Sequence, residues 1–249
     1  YGSYSRANRE PSRSDYESNI NIKPEQLNDF ELGWRFRKNG LRLNLNAYYM
    51  LYNEQLVLTG ELDDVGTPIR TNSGSSYRMG IETEASVKLS EDFLINTNLT
   101  LSSNKNKQVL SKFDGKIFDF GKTNISFSPE IITSNSIIYS PNDRLMISFL
   151  SKYVGKQFMG NTDAVNSILD SYFVNNINFS FSINSNQIFD QIIISGLFNN
   201  IFDKEYVSNG YYYTYDDTWS SPGQVKTLDG AGYYPQAERN FLIGLTFKF

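Results

Sequence analysis

The 249-residue chain carries 27 acidic and 23 basic residues, a net charge of −4, and neither cysteine nor histidine. That excludes disulfides, thiolate or imidazole metal sites, haem ligation by histidine and every His-dependent triad, and the acidic balance argues against nucleic acid as a partner. Aromatic residues make up 15% of the chain and Asn and Ser are abundant throughout, yet no run approaches the ~20 apolar residues of a membrane helix, so the composition points to sheet with one greasy and one wet face.

Residue 1 is Tyr, and nothing near it resembles a signal peptide, which predicts a processed chain or a piece of a longer one. "YGSYSRA" reads as the top of a strand. From Phe30 the pattern alternates: Leu32, Trp34 and Phe36 on one face, Glu31, Gly33, Arg35 and Arg37 on the other. Asn39-Gly40 is a hairpin turn, because both residues tolerate positive φ. The chain returns with Leu41, Leu43, Leu45, Ala47, Tyr49 and Leu51 opposite Arg42, Asn44, Asn46, Tyr48 and Met50. Residues 53–76 read as loop.

The next strand sets Tyr77, Met79, Ile81, Ala85 and Val87 against Arg78, Gly80, Glu82, Glu84 and Ser86, and Ser90-Glu91-Asp92 turns it into a strand with Phe93, Ile95, Leu99 and Leu101 on one face. Residues 103–123 read as a second loop. A strand is predicted over 124–139, with Ile125, Phe127, Ile131, Ile137 and Tyr139 on one face and Pro129 marking a bulge or break. Pro141-Asn142-Asp143 turns it, and Leu145 to Tyr153 leads back. A third loop covers 155–170, a strand runs from Phe173 to Ile183, Asn184-Ser185-Asn186 turns, and a further strand spans 188–203. A long loop over 204–235 precedes the last strand, "NFLIGLTFKF", which ends on Phe249.

Ten strands joined by alternating short and long connections predict an all-β, transmembrane antiparallel barrel, with short turns at the periplasm and long loops outside. In lipid every backbone N–H and C=O must bond within the protein, so the sheet must close on itself. Leu, Ile and Phe then face hydrocarbon, and Asn, Ser, Arg and Glu face the lumen. Trp34, Phe36, Tyr49, Phe93, Tyr139, Tyr153 and Phe247 fall where interfacial aromatic girdles belong. The competing fold is a soluble β-sandwich with a Phe-rich core.

"LFNNIFDKEYVSNGYYY…YYPQAERNFLIGLTFKF", residues 197–249, resembles the C-terminal part of TonB-dependent outer-membrane receptors through Asn200-Ile201-Phe202-Asp203, Tyr206 and the terminal Phe249. "REPSRSDY" at 9–16 followed by "KPEQLNDFELGWRF" at 23–36 is similar to the same family, and the Asn, Ile, Lys and Tyr bias looks like its Bacteroidetes branch. The resemblance implies that residues 1–249 are the C-terminal portion of a plugged barrel of about 22 strands, with the plug and the earlier strands outside this chain. It implies import of a scarce extracellular ligand, an iron–siderophore by default, with cobalamin, glycan or peptide as alternatives, energised by the TonB complex through a segment not in this chain. It further implies contact with the receptor's own plug domain, lipopolysaccharide, the barrel assembly machinery (which reads Phe249) and, in some members, a surface lipoprotein.

No catalytic residue and no cofactor are expected. Glu82 and Glu84 lie two apart on one strand, so both take the wet face as a possible acid–base pair, and pairing with Arg78, Lys88 or a plug residue accounts for them. Arg35, Arg37, Arg78, Glu82 and Glu84 are therefore read as lumen- and plug-facing. The candidate ligand contacts are Tyr211, Tyr212, Tyr213, Tyr215 and Trp219 in the last long loop, whose flat rings with polar tips suit a sugar, an aromatic chelator or a corrin. Arg9 and Arg13, with Arg6, are candidates for an anionic ligand or lipid phosphate. Glu61, Asp63 and Asp64 offer oxygen ligands, but their spacing matches no calcium loop. A self-contained ten-stranded pore or adhesin and a soluble glycan-binding domain are the competing functional readings.

Overall fold

The computed structural model describes residues 1–62, 66, 68–184 and 189–249, with residues 18, 58–62 and 68 described by backbone alone. Ten strands follow one another in a single antiparallel path: β1 (Gly2–Arg9), β2 (Glu25–Lys38), β3 (Leu41–Asn53), β4 (Ser75–Lys88), β5 (Phe93–Asn106), β6 (Ile131–Asn142), β7 (Leu145–Val154), β8 (Tyr172–Asn184), β9 (Gln191–Asn199) and β10 (Asn240–Lys248). Each pairs with its neighbour in sequence, and among the described residues β1 and β10 remain the two unpaired edges. This is a wall segment, not a closed barrel.

Local chemistry sets the short turns. Asn39 and Gly40 sit at φ 47° and 78°, the left-handed pair that a two-residue hairpin requires. The Ser90 hydroxyl accepts the N–H groups of Asp92 and Phe93, both at 3.2 Å. Asn142 Oδ1 accepts from Arg144 and Leu145 at 3.0 and 3.1 Å, and a register shift between Tyr139 and Asn142 absorbs Pro141. The 184–186 turn lies outside the described residues apart from Asn184.

The register puts the expected residues on common faces. Trp34 pairs with Leu45 and Phe36 with Leu43 on the outer surface, while Arg35 pairs with Asn44 and Gly33 with Asn46 inside. Leu32 on the outer face is 69% exposed, as a lipid-facing side chain must be. The lower aromatic belt contains Trp34–Phe36, Phe93–Tyr139 and Phe189 against Phe247 and Phe249, with centroids 4.6 to 5.7 Å apart. The upper belt contains Tyr4–Phe30 and Tyr49–Tyr77. Such ring pairs contribute about 0.5–1.5 kcal/mol each beyond area burial.

A one-residue-thick wall between lipid and lumen has no core of its own. Most of the buried apolar side chains accordingly collect in the long connections, among them Leu56, Val57, Val109, Ile125, Met159 and Leu169, with Val154 and Val174 at the loop ends of β7 and β8. Two strand expectations change for related reasons. The strand predicted over 124–139 begins at Ile131; Thr123–Asn124 pair briefly with β5, Phe127 turns at φ 51°, and Ile125 is 2% exposed, inside the loop core instead of facing lipid. The strand predicted over 188–203 ends at Asn199, because Asn200 and Asp203 adopt φ 51° and 55°. Asn200 then caps the start of the last loop: it accepts from Lys204 N at 2.9 Å and donates to Lys204 O at 2.9 Å and Ala237 O at 3.4 Å.

Candidate functional site: the cavity among the long loops

Five long connections lie at one end of the wall; the first carries the short helix Arg13–Ser18, and the other four carry paired strands where loop was expected. Leu56–Leu62 pairs with Pro68–Asn72, Leu110–Phe113 with Lys116–Asp119, Gln157–Phe158 with Ile168–Leu169, and Val207–Asp217 with Lys226–Pro235. The second hairpin turns on Asp114-Gly115, with φ 50° and 72°. Its tip is clamped to the last hairpin. Asp114 N donates to Thr227 Oγ1 at 2.7 Å, Thr227 N donates to Asp114 Oδ1 at 2.8 Å, Thr227 Oγ1 donates to Asp216 at 2.8 Å, and Lys112 Nζ pairs with Asp216 at 2.8 Å. Those contacts, first of all the bond from Lys112, hold the Asp216 carboxyl below the usual carboxylate range.

Between these hairpins lies a cavity of about 320 Å³. Val57, Val109, Phe113, Phe120 and Met159 give it an apolar lining, and Ser111, Thr162, Thr214, Thr227, Tyr212 and Asp229 project polar groups into it. Tyr212 donates to Asp229 Oδ2 at 3.1 Å, and Asn166 Nδ2 reaches both oxygens of the same carboxylate at 3.3 Å. Burial first, and then the Asp229 charge, push the Tyr212 phenol up to about 12, so it remains a hydrogen-bond donor across the physiological range. An apolar lining with a few convergent polar groups is the usual form of a small-molecule site.

The structure divides the Tyr-rich cluster between two faces of one hairpin. Tyr212 looks into the cavity. Tyr211, Tyr213, Tyr215 and Trp219 stack along the opposite face at 6.2, 6.4 and 6.0 Å between successive centroids, and Tyr234 joins at 6.0 Å from Tyr211. The cross-strand partners Gly232 and Gly230 leave room for the Tyr211 and Tyr213 rings to lie across the neighbouring strand. Arg9 and Arg13 are not brought to the cavity: Arg9 ends β1 opposite Glu25, and Arg13 sits in the short helix Arg13–Ser18, bonded to Glu17 at 2.8 Å. Asp63 and Asp64 lie outside the described residues.

Arg35, Arg37, Arg78, Glu82 and Glu84 share the face opposite Leu32, Trp34 and Phe36. Arg35 covers the Tyr1 ring at 5.0 Å, Arg37 is exposed near the lower end of β2, and Glu84 accepts from Asn44 at 3.2 Å. The expected Glu–Arg and Glu–Lys pairs do not form among the described residues. Lys88 bonds Glu91 at 2.6 Å instead, because the turn brings Glu91 to it, and Arg78 reaches Ser128 at 3.2 Å. Arg78 and Glu82 share a recess of about 290 Å³ with Glu31, Tyr48 and Phe127. Arg78 Nε and Asp29 Oδ1 are buried on this side with no hydrogen-bond partner among the described residues. Sequence reasoning missed Lys112, Asp229, Thr227 and Met159 at the cavity. The Asp114-Gly115 dipeptide was the available signal that this stretch is a hairpin.

An antiparallel wall with alternating faces, two aromatic belts and all long connections at one end defines a β-barrel protein of the outer membrane. The chain belongs to the TonB-dependent receptor family: the family described as TonB dependent receptor-like, beta-barrel matches residues 1–201. No curated protein matches the chain. Among solved structures it is similar to the copper transporter OprC (17% identity, TM-score 0.70, covering 100% of this chain and 37% of that one). It is also similar to the ferric enterobactin receptor PfeA of Pseudomonas aeruginosa, in a mutant form (17%, 0.67, 100% and 38%), and to the ferric-catecholate import receptor Fiu of E. coli K12 in its closed form (17%, 0.65, 96% and 31%). The chain thus spans about a third of the length of these receptors.

Proposed function

We propose that residues 1–249 form the C-terminal part of the barrel of an outer-membrane active transporter. It takes a scarce extracellular ligand, an iron–siderophore by default, into the periplasm with energy delivered through TonB. The observation that carries this reading is the loop-end cavity between Tyr212, Asp229 and Phe113, set above a wall whose polar face lines a lumen. The two open edges support a longer barrel, since an unpaired strand edge in hydrocarbon leaves several kcal/mol of unbonded backbone per group. The unpartnered Arg78 Nε and Asp29 Oδ1 on the inner face suit contact with a plug domain. No covalent chemistry is assigned to any residue, and Phe249, exposed at the end of the last strand, fits a signal for the barrel assembly machinery. A glycan ligand is a second reading, favoured by the ladder of Tyr211, Tyr213, Tyr215 and Trp219.

The test is uptake of radio-iron from a panel of ferric siderophores by iron-starved cells with and without the intact receptor, and with and without TonB. The reading expects one siderophore whose uptake needs both. Uptake indifferent to the receptor across the panel overturns the iron assignment. An intact mass from purified outer membranes equal to this segment alone overturns the larger barrel.

A further inference from the structure

The last loop hairpin, Val207–Asp217 with Lys226–Pro235, has two unlike faces. On one, Tyr212, Asp216, Thr227, Asp229 and Tyr233 meet the other loops. Asp216 and Thr227 hold Lys112 and Asp114 of the second hairpin. Tyr212 lies against Gly160, Asp229 accepts from Asn166, and the Tyr233 hydroxyl donates to Asn166 O at 3.1 Å. The other face is aromatic: Tyr211, Tyr213, Tyr215 and Trp219 run in line, with Tyr234 beside Tyr211. Successive ring planes along that line differ by 24°, 19° and 6°. A β-carbon at Gly232 or Gly230 would overlap the Tyr211 or Tyr213 ring, so these two rings lie flat on the neighbouring strand, one side on backbone and one side outward. Tyr211 and Tyr234 are 52% exposed and Trp219 69%. A packed face thus backs onto an open aromatic one, and an open aromatic face of this kind is a contact surface.

Strand direction says what stands next to it. β10 runs from Asn240 at the loop end down to the lower aromatic belt at Phe247. In the closed barrel proposed above, the strand that pairs with its free edge is antiparallel to it. That strand rises to the loop end and turns there into a long connection. The connection stands two strand spacings from the last hairpin, about 10 Å, which is the distance at which two sheets pack face to face. The same interval separates connections that already pack on one another, as where Asn124 N donates to Asp163 at 2.9 Å between the β5–β6 and β7–β8 connections. The cavity face of the last hairpin is turned to the connections that precede it around the wall, so the aromatic face is turned the other way, past β10.

We propose that the face of Tyr211, Tyr213, Tyr215, Trp219 and Tyr234 is the docking surface for the first long connection of the same polypeptide beyond the β10 edge, the one that joins the first two strands of the barrel. The proposal rests on the reading of a longer, closed barrel. The rings supply apolar area and the phenols polar tips, the combination that protein contact surfaces favour. The last hairpin is then held on both faces, and the Tyr212–Asp229 wall of the cavity is braced from behind by the seam where the barrel closes.

The experiment is photo-cross-linking of the intact receptor in outer membranes, with p-benzoylphenylalanine in place of Tyr215, followed by mass spectrometry of the digest. The expected product joins residue 215 to a peptide from the connection between the first two barrel strands of the same polypeptide. The same probe in place of Thr214, on the cavity face of the same strand, is expected to join residues 109–113 or 159–164 and so reports a formed hairpin. A Tyr215 probe that joins another polypeptide, a polysaccharide or a lipid overturns the proposal. So does a Tyr215 probe that stays unreacted while the Thr214 probe reacts. Should the Tyr215 variant fail to assemble, Trp219, which lies outside every strand, takes the probe with the same outcomes. The longer barrel is tested separately by the intact mass. A mass with room for the earlier strands, without this cross-link, overturns the docking surface alone.

Discussion

Tyr212 and Asp229 meet across the last loop hairpin, the phenol donating to Oδ2 at 3.1 Å from a strand position whose neighbours Tyr211 and Tyr213 point the opposite way. The contact turns one residue of a tyrosine run into a cavity wall and leaves the rest as a stacked surface. Replacing Tyr212 with Phe removes the donor and leaves the carboxylate to Asn166. The expected cost is about 1 kcal/mol in local stability, read as faster amide exchange over 207–235. Because the phenol is raised from 10.0 to about 12, its contribution is fully present below pH 10 and is lost as pH rises towards 12, where the unfolded chain ionises first. Absorbance titration of wild type against Tyr212→Phe should isolate one late-ionising phenol. A difference spectrum complete by pH 10 contradicts the assignment.

Thr227 holds two hairpins together through its hydroxyl and its backbone N–H. Thr227→Val keeps the shape and removes the hydroxyl, so the segment around Asp114 should exchange several-fold faster while the wall strands are unaffected. The Asp216 carboxyl, held below its ordinary 3.8, stabilises this clamp above that pH and ceases to do so as pH falls through its lowered value. Spin labels on the two hairpins should show their separation broadening only under strong acid in wild type, and already at neutral pH in Lys112→Gln.

Gly232 lies opposite Tyr211, and any β-carbon there would overlap the Tyr211 ring. Gly232→Val should displace that ring at a cost of about 1–3 kcal/mol and break the ladder at its first step. Fluorescence of Trp219, whose ring is parallel to Tyr215 within 6°, reports whether the disturbance propagates. Unchanged emission together with unchanged ligand binding would mean that the ladder is not one unit.

Leu99 occupies the outer face of β5, paired with Thr83 and Thr133 between the two aromatic belts. Leu99→Arg is expected to destabilise the receptor by ~2–4 kcal/mol in liposomes. Glu84→Gln on the inner face should cost under about 1 kcal/mol, because Asn44 can still bond the amide. Urea titrations of the two variants in the same bilayer make the comparison. A larger penalty for the Glu84 variant would reverse the assignment of faces.

The wall was legible because a strand has a period of two and each face has one neighbour type. Leu32, Trp34 and Phe36 could be placed from residues alone, and so could the Asn39-Gly40 turn. Ile125 could not. Its alternation with Phe127 continues the outer pattern, but Pro129 detaches the segment and the loop core captures it. The partners of Glu82 and Glu84 were not legible for a similar reason: a Glu on the same face as an Arg fixes neither partner, and Lys88 finds Glu91 three residues away.

What the sequence determined by itself is therefore the membrane wall: its strands, faces, belts and orientation, all set by contacts between residues near in sequence or adjacent in register. What only the tertiary structure decided is the site. Asp114 and Thr227 are 113 residues apart, and whether Tyr212 or Tyr211 faces the cavity depends on how the hairpins dock. That docking is governed by burial of Val109, Met159 and Leu169 among loops that carry no periodic pattern, so chain order contains no local signal for it.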